Sequence, residues 1–330
     1  MSSAHNSRTE KAMTVSELLH VSDSRELEKE EIMALLNVDN FSSDFYRLLD
    51  KANALSRADY HDRGYIFLQI GINSAPCSGN CKFCSMGADH YALTETGEQS
   101  IDRIQEIVES AVAQQVDAIF LMTTADFPLD AYLKIARKVK PLLPEHVMLI
   151  ANVGDFDQET AQKLKDAGFT GVYHIVRLSE GIDTDISPEK RVATLDAIAA
   201  VGLDLLYCIE PIGPEHTYEQ IANEILRARK YNVDIMACMR RVAVKGTPCF
   251  DRGEISDLEL AKIVAVTRIA AHPGRSMNVH EPNALAMLSG VNQLYAEIGC
   301  NPRDNALDTQ ENRGYSIQKA RDLLRQNGYH

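Results

Sequence analysis

YIFLQIGINSAPCSGNCKFCSMGADHY, residues 65–91, decides how the rest of the chain is read. Its first eight residues form a short apolar run rich in β-branched and aromatic side chains, the composition of a fully buried strand. The run breaks into a loop of Gly, Ser, Pro and Asn that carries Cys77, Cys81 and Cys84. Working outward, the same rhythm recurs to the end of the chain. Strand-like runs lie at 65–72, 117–122, 146–153, 171–178, 203–210, 233–239, 275–279 and 292–299. Amphipathic helical patterns separate them, among them IDRIQEIVESAVAQQ, DAYLKIARKVKPLL, PEKRVATLDAIAAVG and TYEQIANEILRARKY, and SIQKARDLLRQNGY closes the chain. Short buried runs alternating with helices indicate parallel strands joined by βαβ crossovers, and eight such strands close a barrel. The fold class expected is therefore α/β, a complete (βα)8 TIM-type barrel. Residues 1–60 are read as a polar tail followed by a helical extension, with Asp44 as a helix start, and residues 61–330 as the barrel.

Composition sets the limits. The chain has 330 residues, 45% hydrophobic and 25% charged, the mixture of a soluble globular protein. A net charge of −13 argues against a nucleic-acid partner, because a polyanion needs a basic surface. No apolar run approaches the roughly 20 residues that cross a bilayer. MSSAHNSRTEKAMTVSELL lacks the apolar core of a secretory signal, so the chain reads as cytoplasmic. Seven cysteines, an odd number in a long chain of this kind, do not make a disulfide framework.

In barrels of this class the reactive groups sit at the C-terminal ends of the strands. That rule places Cys77, Cys81 and Cys84 at the mouth after strand one and Thr123, Thr124 and Asp126 after strand two. Asn152 and Asp155 follow strand three, and Arg177, Ser179 and Glu180 strand four. Cys208 and Glu210 end strand five, Cys238 strand six with Cys249 in its loop, His280 strand seven, and Cys300 and Arg303 strand eight. Three thiols at CxxxCxxC spacing can bend round one inorganic cluster, and soft thiolates select iron–sulfur chemistry. Three is one short of the four ligands of a structural zinc site or an electron-transfer cluster, so one iron of a [4Fe–4S] cluster would stay open. A zinc site completed by a distant ligand such as His90 is the competing reading.

CxxxCxxC with Phe83 before the last Cys resembles the signature of the radical S-adenosylmethionine (SAM) enzymes. The resemblance implies that Cys77, Cys81 and Cys84 hold a [4Fe–4S] cluster whose open iron binds SAM. Reduction of SAM would then give methionine and a 5′-deoxyadenosyl radical that takes hydrogen from an unactivated C–H bond. The electron would come from a donor such as flavodoxin or ferredoxin.

From about residue 40 onward the chain resembles the biotin synthase group, which includes a hydrogenase maturase, methylornithine synthase and the two-protein lipoyl synthases. ISPEKRVATLDAIAAVGLDLL is similar to the segment whose Arg meets the SAM carboxylate, here Arg191. YHIVRLSEG resembles the strand end that holds SAM, which puts Arg177, Ser179 and Glu180 there beside Phe83 and Thr124. Ile212 in EPIGPEHT matches a position that packs on adenine. PNALAMLSGVNQLYAEIGCNPRD and ARDLLRQNGY are similar to the end of biotin synthase.

The sequence departs from biotin synthase where that enzyme keeps a second, sacrificial cluster: FLMTTADF and LIANVGDF contain no Cys. Cys208, Cys238, Cys249 and Cys300 nevertheless all fall near the mouth. They either hold a possible second [4Fe–4S] cluster or are unrelated buried thiols. His280 and Glu210 are the candidate catalytic side chains, with a hydrogen-bonded structural role as the alternative; His174 and His216 read as structural. Arg240, Arg241 and Lys245 either meet an anionic substrate or acidic carrier protein or form a solvated loop. The expected activity is sulfur insertion at an aliphatic carbon of a small-molecule or carrier-bound substrate. The alternatives are rearrangement or metallocofactor assembly and, in a different class, a non-catalytic iron–sulfur or zinc scaffold.

Overall fold

The computed structural model describes residues 13–330, so the polar stretch read as a loose tail lies, apart from Met13, outside the described residues. Eight parallel strands close into a barrel: β1 (Tyr65–Gly71), β2 (Ala118–Met122), β3 (Met148–Asn152), β4 (Gly171–Tyr173), β5 (Asp204–Ile212), β6 (Ile235–Arg240), β7 (Ser276–His280) and β8 (Gln293–Gly299). Each pairs with its sequence neighbours, and β8 closes on β1 with Tyr65 opposite Gln293 and Gly71 opposite Gly299. That seam is tight. A Cβ on Gly71 would lie 1.9 Å from the Cys300 carbonyl oxygen, and Gly299, at φ +79°, would place one 2.5 Å from the Gly71 oxygen. Only glycine lets the first and last strands meet so closely.

Three helices precede the barrel, α1 (Val15–Val21), α2 (Lys29–Leu36) and α3 (Ser43–Tyr60). The cap of α3 is Ser42, whose hydroxyl accepts from the Phe45 N–H; Asp44 lies in the first turn instead. Around the barrel run α4 (Ile101–Ala113), α5 (Leu129–Val139), α6 (Gln158–Asp166), α7 (Pro188–Val201), α8 (Tyr218–Lys230), α9 (Asp257–Ala271), α10 (Ala284–Met287) and α11 (Ile317–Gln326). Ser100, Asp157, Ser187, Thr217, Ser256 and Ser316 each accept a backbone N–H as N-caps, worth about 1 kcal/mol apiece, which ends each loop at a defined residue.

Most of α9 is buried because the N-terminal helices cover its outer side. Arg268 on α9 donates from Nε to Ser56 Oγ at 2.8 Å, and Lys262 donates to the Val38 carbonyl at 3.1 Å. The helical extension and the barrel share one continuous apolar core. No helix among the described residues is long and apolar enough to cross a membrane.

The strand expected at 171–178 ends at Tyr173. Beyond it the backbone donors turn to other partners. Val176 N–H goes to Tyr207 Oη at 3.2 Å, Arg177 N–H to Glu180 Oε2 at 2.9 Å and Leu178 N–H to the Glu210 carbonyl at 2.9 Å. His174 N–H still reaches the Leu206 carbonyl, and beyond it the Tyr207 and Glu180 side chains alternate with the β5 backbone as partners.

Candidate active site

The loop after β1 is held from several sides. Asn73–Ser74 and Gly97–Glu98 pair antiparallel across its base. Ser78 donates from its backbone N–H and hydroxyl to Asp126 at 2.6 and 2.5 Å, tying the loop to the one after β2. Asn80, in the left-handed region at φ +46°, donates from Nδ2 to Asp89 at 2.7 Å and Asp185 at 3.0 Å. His90 Nε2 lies 3.1 Å from the carbonyls of both Cys81 and Cys84. Its ring fills the space beside Gly87, where a Cβ would sit 2.3 Å from it. The zinc reading named His90 as one example of a completing ligand; its Nε2 lies instead against the backbone carbonyls it braces. Ser85 N–H and Oγ reach the carbonyls of Pro302 and Asn301 at 3.0 and 3.4 Å, so the segment after β8 completes the support.

Cys77, Cys81, Phe83 and Cys84 form the roof of a cavity that runs into the barrel mouth. Thr124, Arg177, Arg191, Glu210, His280 and Arg303 line the same cavity, as do Gln69, Asn73, Asn152, Tyr173 and Met239. Thr124 and Asn73 exchange two hydrogen bonds, at 2.8 and 2.9 Å. The Arg177 side chain is half-buried, lies 3.6 Å from Glu210 and 3.7 Å from Glu180, and has its buried Nε and one buried Nη outside any hydrogen bond. Burial opposes its charge, but the carboxylates of Glu180 and Glu210 hold it protonated, above the usual arginine range. A half-buried cation with free donors facing a cavity is suited to an incoming carboxylate. Arg191 also faces the cavity, but its Nε donates to Glu180 at 3.2 Å and one Nη to Asp155 at 3.3 Å. Glu180 itself is buried and saturated by Arg191, the Arg177 N–H and Thr184 Oγ1, the last at 2.6 Å.

Glu210 accepts from Tyr173 Oη at 2.7 Å. His280 is buried, stacked on Tyr295 at 4.6 Å between centroids, with Nε2 unpartnered. Burial and then Arg303 push its pKa well down, so it faces the cavity as a neutral imidazole. Arg303 donates to Glu281 at 3.0 Å and pairs with Glu297.

Several expected positions fall elsewhere. Ser179 lies in a turn at φ +59° with its hydroxyl 3.3 Å from His216 Nε2, while His216 Nδ1 accepts from the Gly213 N–H at 2.9 Å. Ile212 is buried under a separate groove made by Gly213, Thr217, Tyr218, Ile255 and Ile263, because the register with β6 shifts between Ile209 and Ile212. His174, by contrast, does line the cavity: it is buried with Nε2 3.4 Å from Asp155 and outside hydrogen-bond geometry, its pKa pushed down to about 3 by burial and then Arg177. Arg240 pairs with Asp257 at 2.5 Å and Arg241 with Glu215, so two of the three cations read as an anion patch are already matched; Lys245 is exposed.

The four remaining thiols do not converge, which corrects the expectation of a shared cluster. Alternation along β5 and β6 sends Cys208 into the barrel beside Tyr173 and Glu210, and Cys238 outward to Thr267 Oγ1 on α9 at 3.5 Å. Cys249 is fixed in the β6–α9 loop by its N–H to the Lys82 carbonyl at 3.0 Å. Cys300 packs behind the loop, its Sγ 3.6 Å from Met86 Sδ.

The sequence of residues 75–248, more than half of the chain, matches the Radical SAM superfamily. The chain belongs to the radical SAM superfamily. It is similar to a biotin synthase of Rhizobium rhizogenes, 26% identical over 81% of this chain and 85% of the relative, and to one of Beijerinckia indica, 27% identical over 69% and 76%. Its fold is similar to that of the FeFe-hydrogenase maturase HydG, with a TM-score of 0.81 at 15% identity over 96% of this chain and 75% of that one. It is equally similar to methylornithine synthase, with a TM-score of 0.80 at 16% identity over 96% of both chains.

Membership implies a [4Fe–4S] cluster and SAM, and the donor set of this radical SAM protein fits them. Three free thiols face one cavity. Burial pushes Cys81 up to about 12 and Cys84 higher still, so the bare side chains stay neutral and a cationic metal centre is what would make them thiolates. No group of three or more His, Cys, Asp and Glu among the described residues closes to the spacing of a single ion. Cys77, Cys81 and Cys84 would hold the cluster, and Arg177 would offer donors to the carboxylate of SAM. When bound, the pair supplies one-electron chemistry that activates an inert C–H bond.

Sequence reasoning named most of this wall but missed Tyr173, Gln69 and the loop-bracing role of His90. Strand parity was the available signal for the first two, since Tyr173 and Gln69 share the inward face of β4 and β1. The partner of His90 is backbone, which leaves no mark in the sequence.

Proposed function

We propose that this radical SAM enzyme takes a hydrogen atom from a small, polar substrate held inside the barrel and rearranges or cleaves it. The observation that carries this reading is the character of the wall below the cysteine loop. The free donors of Arg177, the neutral Nε2 of His280 and the Tyr173–Glu210 pair all face one cavity. Such groups recognise a polar substrate by number and position of hydrogen bonds, since a ligand that leaves them unpaired costs about 1–3 kcal/mol per group. Arg177 and Arg191 hold the anionic end of the cofactor side, Phe83 shields the cluster edge, and His280 accepts or donates one hydrogen bond without carrying charge. The apolar ring set of Phe120, Tyr173 and Tyr295 closes the floor and keeps water from the reacting carbon.

Sulfur insertion stands as the second reading, favoured by the biotin synthase relatives. It needs a sulfur source in the barrel, and of the four extra thiols Cys208 alone points there. Iron and sulfide counts on anaerobically reconstituted protein separate the two. About four of each per chain supports the first reading, and about eight supports a sacrificial second cluster. Formation of 5′-deoxyadenosine from SAM under a strong reductant tests both against a non-catalytic scaffold, which would form none.

A further inference from the structure

One side-chain cluster inside the barrel has no part in binding the cluster or SAM. Tyr173 on β4 lines the cavity, and its phenol donates to Glu210 Oε2 at 2.7 Å. On β5, one residue pair nearer the mouth than the Leu206 that Tyr173 faces, Cys208 is wholly buried beside Tyr173 and Glu210, its thiol donating to the Ile209 carbonyl at 3.7 Å. Phe120 meets Tyr173 edge-on at 5.5 Å and Tyr295 at 5.4 Å between ring centroids, so aromatic rings flank the phenol. Of the other three, Cys238 meets Thr267 Oγ1 and Cys300 meets Met86 Sδ, and Cys249 lies in the β6–α9 loop with its backbone N–H on the Lys82 carbonyl. Cys208 is the one turned toward the reaction space.

We propose that Tyr173, backed by Cys208, is the hydrogen-atom donor that quenches the carbon radical left on the product. Phenol O–H and thiol S–H bonds are both weaker than an unactivated aliphatic C–H bond, so transfer to such a carbon is downhill. They are close to each other in strength, so the vacancy can pass between them. The product carbon forms a C–H bond while the Tyr173 O–H bond breaks homolytically, leaving a phenoxyl radical. Cys208 S–H then breaks homolytically and restores the phenol, leaving a thiyl radical. One electron and one proton return that sulfur to the thiol, the electron coming from the same class of low-potential one-electron reductant that the superfamily consumes. Glu210 holds the phenol oxygen toward the cavity throughout, and Cys208 acts through Tyr173 without touching substrate. This inference rests on the radical reading above, and adds that the reaction ends with a protein hydrogen in the product.

The test needs no substrate. Reconstituted full-length protein is incubated with SAM and dithionite in thiol-free D2O, and the isotope content of 5′-deoxyadenosine is read by mass spectrometry. Tyrosine O–H and cysteine S–H exchange with solvent, whereas carbon-bound hydrogens do not. The proposal expects most of the 5′-deoxyadenosine to carry one deuterium, and expects that label to be lost in the double variant Tyr173→Phe/Cys208→Ala with iron content unchanged. Samples frozen during turnover should show a tyrosyl signal by electron paramagnetic resonance that narrows with ring-deuterated tyrosine, grows in Cys208→Ala and vanishes in Tyr173→Phe. Unlabelled 5′-deoxyadenosine from the parent protein, label retained in the double variant, or a tyrosyl signal surviving Tyr173→Phe each overturns the donor role while leaving radical chemistry intact. No 5′-deoxyadenosine at all takes down both readings.

Discussion

Three thiols at the mouth and four elsewhere share one chemistry and differ in what surrounds them. Cys77, Cys81 and Cys84 sit half-buried on a loop braced by Asp126, His90 and the segment after β8, with their faces toward a cavity. Cys208, Cys238, Cys249 and Cys300 are buried, each against a different element. Count and proximity along the chain group the first set correctly. For the second set, proximity to the mouth is not convergence: neighbouring residues of β5 and β6 point to opposite faces of one wall.

The sharpest test of this contrast is removal of thiols. Cys77→Ala, Cys81→Ala or Cys84→Ala should each strip the iron and lower 5′-deoxyadenosine formation by more than the about 100-fold that indirect metal-site changes cost, read by iron assay and chromatography. Cys238→Ala and Cys249→Ala should keep full iron, and retention in one set with loss in the other is the comparison itself. Next in size is Arg191→Ala, which leaves Glu180 and Asp155 buried without their cation. Loss of about 3–5 kcal/mol in a denaturant titration is expected. An unchanged midpoint would show that the ion network is not what holds the β4 end against α7.

A smaller effect concerns pH. His174 keeps its neutral form down to about 3 in the folded protein, while the unfolded chain binds that proton near its ordinary value of 6.5. Below that value the unfolded state binds more protons than the native one, so stability is complete above it and falls as pH drops toward 3. The slope for one group is about 1.4 kcal/mol per pH unit. His174→Asn should flatten the stability profile by that slope between those limits, measured by thermal unfolding across pH; a profile with unchanged slope would mean the ring takes its proton while folded. Smallest is the cost of Cys238→Ala itself, about 1 kcal/mol for a small buried side chain beside Thr267. A loss much above that would assign the thiol a role beyond packing.

The barrel was legible because each strand is a short apolar run between capped helices, and eight of them recur. The Cys loop was legible because its ligands lie within eight residues. What sequence could not supply was orientation and long-range pairing. Ile212 left the cavity through a register shift between β5 and β6, and Arg241 met Glu215 across a loop. Glu180 was placed at the mouth by its position, yet its carboxylate is consumed by Arg191, eleven residues on, and by its own turn. The strand at 171–178 ended early because Tyr207 and Glu180 offered its amides better partners than a neighbouring strand.

The bracing of Ser85 by Asn301 and Pro302, and the flush meeting of Gly71 with Cys300, has a temporal consequence. The thiols are synthesised well before their support, since 216 residues separate Ser85 from Asn301. A nascent polypeptide still on the ribosome therefore exposes three unprotected sulfurs without a finished cradle. A product truncated before Asn301 would carry the motif without the carbonyls that brace Ser85.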